Sequence, residues 1–100
     1  MMLNIVKEAN GDLLTVRLEG KLNTTAAMDL DTELRQALPE VKELVLDLEK
    51  LEYITSAGLR VLLFAQKTMD EQGRMIMRTV SPEILKILKM TGMVKMMTSE

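Results

Sequence analysis

The stretch LVLDLEKLEYITSAGLRVLL, residues 44–63, contains the change of pattern that decides the fold. Its first half is an apolar run typical of a buried strand, and its second half has apolar residues at helical spacing. Thr55-Ser56-Ala57-Gly58 stands at the joint, and Ser56 is suited to cap the helix that follows. A strand that leads through a short loop into a helix is typical of the parallel units of an α/β sheet.

The residues before this stretch predict a β-hairpin. Residues 3–8 and 13–19 place apolar side chains at alternate positions, as half-buried strands do. Asn10-Gly11 lies between them, and both residues tolerate the positive φ angles of a tight hairpin turn. Gly20 is expected to break the second strand.

The first helix is predicted from a single apolar stripe that ends before Pro39. Thr24 or Thr25 is expected to cap its N-terminus, because a hydroxyl oxygen accepts a hydrogen bond from a first-turn N–H group. The stripe consists of Ala27, Leu30, Leu34 and Leu38.

The rest of the pattern predicts two more strands and two more helices. Residues 43–48 are nearly continuously apolar, which is typical of a strand covered on both faces. A helix over residues 57–71, ended by Gly73, and a strand over residues 74–80 follow. Ser81-Pro82-Glu83 then starts a third helix, whose buried face is formed by Ile84, Leu85, Ile87 and Leu88.

This order of elements predicts an α/β fold in which a small mixed β-sheet packs against helices. The N-terminal hairpin supplies the antiparallel pair, and the strand–helix crossovers supply parallel βα units. Residues 1–100 contain no linker, repeat or low-complexity segment, so we expect a single domain. Functional loops lie beyond the carboxyl ends of parallel strands, here residues 21–25 and 51–56, which we expect side by side.

The composition excludes several classes of enzyme. The chain has no His and no Cys, so it offers no Ser-His-Asp triad, no Cys-His pair and no typical zinc ligands. Ile54 fills the first Gly position of a G-x-S-x-G elbow, and the sequence has no Gly-rich phosphate-binding motif. We therefore expect no catalytic residues, no metal and no cofactor.

Charge and hydropathy bear on partners and location. A net charge of −2 offers no basic surface for nucleic acid or an acidic membrane. No apolar window approaches the length of a membrane span, and the first residues lack the pattern of a secretory signal. We expect a cytoplasmic chain that binds neither nucleic acid nor membrane.

Residues 44–63 resemble the central segment of STAS domains, specifically the stand-alone bacterial anti-sigma factor antagonists. In that family an apolar strand is followed by an Asp-Ser or Ser-Ser pair, a small residue, Gly and Leu. The resemblance continues in VRLEGKLNTTAAMDLDTEL (residues 16–34) and in GRMIMRTVSPEILKILKMTGM (residues 73–93), so it covers nearly the whole chain.

The resemblance implies a protein-binding switch. Such antagonists bind an anti-sigma factor that is also a Ser/Thr kinase, and so free a sigma factor for RNA polymerase. The kinase phosphorylates a Ser at the helix start, which releases the antagonist, and a phosphatase restores it. By motif position that Ser is Ser56, with Thr55 as the second choice. We expect a monomer or a weak homodimer.

The resemblance also implies a partner-binding surface around the two loops. It comprises Asn23, Thr24, Thr25, Thr55, Ser56, Ala57, Gly58, Leu59 and Arg60. The family often has Asp at the positions of Asn23 and Thr55, so this chain lacks negative charge there. Arg60, one turn after Ser56, is either an ordinary exposed charge or a group that reaches a phosphate on Ser56.

Several alternatives stay open. Ser56 can serve only as a helix cap, and the chain can be a non-catalytic structural STAS subunit of a larger signalling complex. A receiver-like domain would use Asp47, but LNIVKEAN (residues 3–10) offers no convincing acidic pair for its metal ion. The helix after Ser56 has a broad apolar arc, which favours either two covering neighbours or a docked partner. A methionine cluster fills core gaps or faces a partner; its members are Met90, Met93, Met96 and Met97.

Overall fold

The computed structural model describes residues 3–90 and residues 98–99. Within these residues the helices are α1 (Thr24–Ala37), α2 (Ser56–Gln72) and α3 (Pro82–Met90). The strands are β1 (Asn4–Asn10), β2 (Leu13–Leu22), β3 (Glu43–Asp47), β4 (Leu51–Ile54), β5 (Arg74–Arg78) and β6 (Thr98–Ser99). The predicted α/β class is confirmed, because one antiparallel pair, β1 with β2, joins a sheet whose other pairings are parallel.

The hairpin forms, but its turn lies one residue later than the Asn10-Gly11 pattern predicts. Asn10 pairs with Leu13, so the central residues of the turn are Gly11 and Asp12. Gly11 has a φ of 65°, and the neighbouring Asn10 and Asp12 keep negative φ angles. This is the arrangement of a type II′ turn, in which Gly takes the first central position.

Strand β2 changes neighbour part of the way along its length. Residues 13–17 pair with β3, and residues 20–22 pair with β4. The prediction that Gly20 breaks the strand is wrong: Gly20 has a φ of 112°, and the register shifts between Gly20 and Lys21. The Gly20 N–H donates to the Lys50 carbonyl oxygen at 3.0 Å, which holds the loop before β4 against this point.

Strand β4 lies in a segment that the sequence assigns to a loop, so that part of the prediction is wrong. Leu51 and Ile54 are buried, whereas Glu52 and Tyr53 between them are exposed. Two consecutive exposed residues do not produce the alternation that identifies a half-buried strand. The strand forms because the second half of β2 offers it a free edge.

Two late strands differ from prediction: β6 (Thr98–Ser99) was not predicted, and β5 ends early. The strand expected over residues 74–80 ends at Arg78, because Thr79 has a φ of 58°, outside the β region. Helix α3 begins as predicted: Ser81 Oγ accepts a hydrogen bond from the Ile84 N–H at 3.3 Å, and Pro82 is the first helical residue.

Among the described residues, the main hydrophobic cluster lies between one face of the sheet and the helices. Alternate strand residues point into it, among them Val16, Leu18, Leu44, Leu46, Met75 and Met77. The stripe predicted for the first helix is confirmed, because its members are all buried in this cluster. On α3 only Ile84 and Leu88 of the predicted face are fully buried. No helix in the described part of the chain is long and apolar enough to cross a membrane.

Candidate functional site

The carboxyl ends of β2 and β4 lie side by side and start the two longest helices. Leu22, the last residue of β2, pairs with Ile54, the last residue of β4. Asn23 and Thr55 follow them directly, and each is the N-cap of the helix that comes next. The expected juxtaposition of the two loops is therefore confirmed, although the second loop follows β4 and not β3.

Thr55, and not Ser56, caps α2. The Thr55 hydroxyl accepts a hydrogen bond from the Gly58 N–H at 3.3 Å and donates to the Leu22 carbonyl oxygen at 3.3 Å. The Thr55 backbone N–H donates to the same carbonyl oxygen at 3.0 Å. The prediction that Ser56 is the cap is wrong by one residue, because the hydroxyl of Thr55 is the one that meets the end of β2.

Because Thr55 is the N-cap, the Ser56 side chain does not cap α2. It is the first residue of α2 and is exposed, and its hydroxyl makes no hydrogen bond to any other described residue. The N-terminus of a helix carries unpaired N–H groups and the positive end of the helix dipole. The first turn of α2 contains no acidic residue. The surroundings of the Ser56 hydroxyl therefore favour an added negative charge.

Asn23 caps the N-terminus of α1, as Thr55 caps that of α2. Its Oδ1 accepts a hydrogen bond from the Ala26 N–H at 2.8 Å, and its carbonyl oxygen accepts from the Ala27 N–H at 2.8 Å. The prediction that Thr24 or Thr25 caps this helix is wrong; both lie in the first turn of α1 and are exposed. An amide oxygen one residue earlier meets the first-turn N–H group in their place.

Gly58 sets the distance between α2 and the strands below it. A Cβ atom at this position would lie 2.7 Å from Leu22 Cγ, 2.9 Å from Leu22 Cδ2 and 3.0 Å from Ile54 Cγ1. Separations this short are far inside van der Waals contact, so only Gly permits the observed approach. Gly58 is buried and therefore shapes the candidate surface from beneath.

The other candidate residues differ in exposure. Thr24, Thr25 and Arg60 are exposed, whereas Ala57 and Leu59 are half-buried and pack against the core. The broad apolar arc of α2 is accounted for by neighbours within the fold, because Leu63 and Phe64 also pack on the core. No apolar residue of α2 is exposed in the described structure, which favours covering neighbours over a docked partner as the reason for the broad arc.

Two exposed apolar side chains near the site were not predicted. Met28 is 68% exposed in the second turn of α1, and Tyr53 is 50% exposed on β4. Met28 lies off the apolar stripe of the first helix, and that displacement was the sequence signal that it faces outward. Tyr53 pairs with Lys21 across the two strands.

The remaining candidates from the sequence are Asp47, a possible metal site and the methionine cluster. Asp47 ends β3, and its carboxylate accepts a hydrogen bond from the Glu49 N–H at 3.1 Å. The described residues include no group of three or more acidic side chains placed to hold a metal ion. Of the methionine cluster, Met90 is 78% exposed, and Met93, Met96 and Met97 lie outside the described residues.

Comparison with known proteins finds a family model that matches nearly the whole chain. The family model for the STAS domain matches residues 4–100. The anti-sigma F factor antagonist of Paenibacillus polymyxa is 30% identical over 100 residues, which cover 97% of this chain and 86% of that protein. BtrV of Bordetella bronchiseptica is 33% identical over 82 residues, covering 80% of this chain and 71% of that protein.

A solved structure of the same architecture shares the fold. The unphosphorylated anti-sigma factor antagonist SpoIIAA superposes with a TM-score of 0.85, at 21% identity. The alignment covers 97% of this chain and 88% of that one. The likeness therefore supports the overall fold described above.

Proposed function

Because the chain belongs to the STAS domain family, we propose that it is an anti-sigma factor antagonist switched by phosphorylation of Ser56. In its unmodified form it binds an anti-sigma factor through the surface around the N-termini of α1 and α2. Binding leaves the corresponding sigma factor free to join RNA polymerase. The partner is itself the Ser/Thr kinase that modifies the antagonist, and a phosphatase reverses the modification.

The observation that carries this proposal is the difference in hydrogen bonding between the hydroxyl groups of Thr55 and Ser56. The Thr55 hydroxyl is held by two hydrogen bonds, whereas the exposed Ser56 hydroxyl has no partner in the described part of the chain. A phosphoacceptor must present its oxygen to the kinase, so Ser56 is supported as the acceptor and Thr55 is not. A phosphate on Thr55 would displace the cap and the contact with β2.

The chemistry requires nothing catalytic from this chain. The Ser56 oxygen attacks the γ-phosphorus of ATP in the kinase site, and the bond from that phosphorus to the β,γ-bridging oxygen breaks. ADP leaves, and the hydroxyl proton passes to a base of the kinase. Hydrolysis by the phosphatase adds water across the Ser56–phosphate bond and restores the hydroxyl.

Phosphorylation switches binding through charge. It adds about −1.5 to −2 charges at pH 7. At the start of α2 that charge is tolerated by the fold, because free N–H groups and the helix dipole stabilise an anion there. In the middle of a docked interface the same charge must be desolvated, which weakens the complex.

The test is a binding and labelling experiment with ATP and a candidate anti-sigma factor that is a Ser/Thr kinase. We expect wild type and Ser56→Ala to bind, Ser56→Asp to lose binding, and mass spectrometry to place phosphate on Ser56 alone. Ser81→Asp is the matched control, since Ser81 caps α3 and the variant adds the same charge at another helix start. Phosphate confined to Thr55, or equal binding by Ser56→Asp and wild type, contradicts the proposal.

The same samples separate the proposal from a purely structural role. Light scattering after size exclusion measures the mass of the assembly that the chain forms alone. A monomer or dimer agrees with a free antagonist. A large stable assembly whose formation is unaffected by Ser56→Asp supports a structural subunit and contradicts the switch.

A further inference from the structure

Arg60 lies one helical turn after Ser56 on the same face of α2. Residues four apart in a helix have Cβ atoms about 5–6 Å apart, within reach of each other's side chains. Both Ser56 and Arg60 are exposed, so neither is held away from the other by the core. The guanidinium group is therefore placed to meet any group attached to the Ser56 oxygen.

The Arg60 side chain is not engaged by another residue in the part of the chain that the structure describes. The ion pairs of Lys7, Arg17, Arg35 and Arg74 do not include Arg60. No hydrogen bond, ion pair or ring contact of Arg60 with another described residue exists. A carboxylate in the first turn of α2 would compete for it, and that turn contains none.

We propose that Arg60 binds the phosphate of phosphorylated Ser56 in an intramolecular ion pair that prolongs the phosphorylated state. This inference rests on the proposed function, since it needs a phosphate on Ser56. The planar guanidinium presents parallel N–H donors that match two phosphate oxygens. An anion placed before a cation at this spacing also agrees with the helix dipole, so the order of the two residues is the favourable one.

The pair has two measurable consequences. Guanidinium stabilises the dianion more than the monoanion, so the second pKa of the phosphate falls below the ordinary value of about 6. It also covers two of the oxygens that a phosphatase must contact, so dephosphorylation slows. Each effect is expected to be roughly a two-fold change in the corresponding constant.

Other cations provide the comparison. Lys21, at the end of β2, is exposed and lies on the strand next to β4. Lys67 is exposed on α2, and its position seven residues beyond Arg60 places it about 10 Å further along the axis. Lys67→Gln therefore removes one positive charge from the same helix without touching the pair. Lys21→Gln removes one from the neighbouring strand end.

The experiment uses full-length protein carrying phosphoserine at position 56, introduced during translation so that no kinase is needed. Phosphorus NMR gives the second pKa of the phosphate, and a non-specific alkaline phosphatase gives the rate of its removal. We expect Arg60→Gln to raise that pKa by about 0.3 and to speed removal about two-fold. Arg60→Lys should fall between wild type and Arg60→Gln, because it keeps the charge but loses the fork of donors.

Specific outcomes overturn the inference. If Arg60→Gln matches wild type in both measurements, no pair exists. If Lys21→Gln or Lys67→Gln changes the pKa as much as Arg60→Gln does, only the general field of the protein acts. Because the phosphate is installed without a kinase, these results do not depend on whether the chain binds an anti-sigma factor. A failure of the proposed function is seen only in the binding experiment.

Discussion

The carbonyl oxygen of Leu22 accepts two hydrogen bonds from Thr55, one from its backbone N–H at 3.0 Å and one from its hydroxyl at 3.3 Å. The end of β2 and the start of α2 are thus joined at one atom. A carboxylate at position 55, common in the family, cannot donate to a carbonyl oxygen. The hydroxyl of this chain therefore adds a strand-to-helix contact that an Asp would lack.

Thr55→Val is expected to destabilise the protein. The change keeps the shape of the side chain and the backbone N–H bond to Leu22. It removes both bonds of the hydroxyl, the cap at the Gly58 N–H and the bond to the Leu22 carbonyl oxygen. Together these two bonds of the hydroxyl contribute about 1–2 kcal/mol. Urea denaturation measures the free energy of unfolding. Thr55→Ser is the control and should stay within about 0.5 kcal/mol of wild type, since it keeps the hydroxyl. Equal stability of Thr55→Val and wild type would show that the two bonds contribute nothing.

Gly58→Ala is expected to destabilise the protein although Ala is the better helix former. The intrinsic gain is about 1 kcal/mol, but the new methyl group meets Leu22 and Ile54 at 3.0 Å or less. Overpacking of this kind costs about 1–3 kcal/mol. Thermal unfolding gives the net change, and we expect a loss.

A double-mutant cycle tests the cause of that loss. In a Leu22→Ala background the two closest atoms are absent, so Gly58→Ala should be much less harmful there. If the loss is the same in both backgrounds, contact with Leu22 is not its source. If the single variant is more stable than wild type, the approach of α2 to β2 is not limited by Gly58.

Asn23→Asp is expected to leave the fold unchanged while adding a negative charge to the candidate binding surface. Both side chains cap a helix equally well, so the free energy of unfolding should change by less than about 0.5 kcal/mol. Asn23→Ala removes the bond to the Ala26 N–H and should cost about 1 kcal/mol. A partner that recognises charge will show a different association rate and salt dependence with Asp. Identical association kinetics for the Asn and Asp variants would mean that the partner does not recognise charge at position 23.

Gln66→Met is expected to stabilise the protein. Gln66 is only 3% exposed, and its Oε1 is buried with no hydrogen-bond partner among the described residues, while its Nε2 donates to Asp70 Oδ1 at 2.5 Å. Met has similar length and no polar atom to desolvate, so the gain is about 1 kcal/mol. Asp70→Ala is the opposite control, because it leaves the Gln66 amide with both ends unpaired and should lower stability. A loss with Gln66→Met would mean that the bond to Asp70 outweighs the unpaired oxygen.

The regular elements could be predicted because their local patterns agree with their burial. Leu30 and Leu34 lie on one stripe of α1, and Leu44 and Leu46 fall in a short apolar run in β3. Such patterns indicate which face of a helix or strand packs on the core, whichever other element covers that face. Gly11 likewise marked the hairpin, although its pairing moved the turn by one residue.

Features that depend on a distant partner could not be predicted. Whether Thr55 or Ser56 caps α2 is decided by the carbonyl oxygen of Leu22, thirty-three residues earlier in the chain. Strand β4 exists only because β2 turns a free edge toward it after Gly20. Nothing in the local spacing of Leu51 and Ile54 distinguishes that strand from a loop. The position of Ser56 in the motif was evident from the sequence, but the freedom of its hydroxyl was not.

The change of neighbour along β2 divides the molecule into parts that can vary separately. Residues 13–17 lie between β1 and β3 in the middle of the sheet, whereas residues 20–22 support only the ends from which α1 and α2 start. The register shift at Gly20 separates these two parts of β2, so substitutions in residues 20–22 need not disturb the pairing of residues 13–17. We therefore expect that residues 20–25 and 51–60 can be exchanged together between relatives without disturbing the pairing of residues 13–17. Under the proposed function, the exchange would transfer partner choice with them.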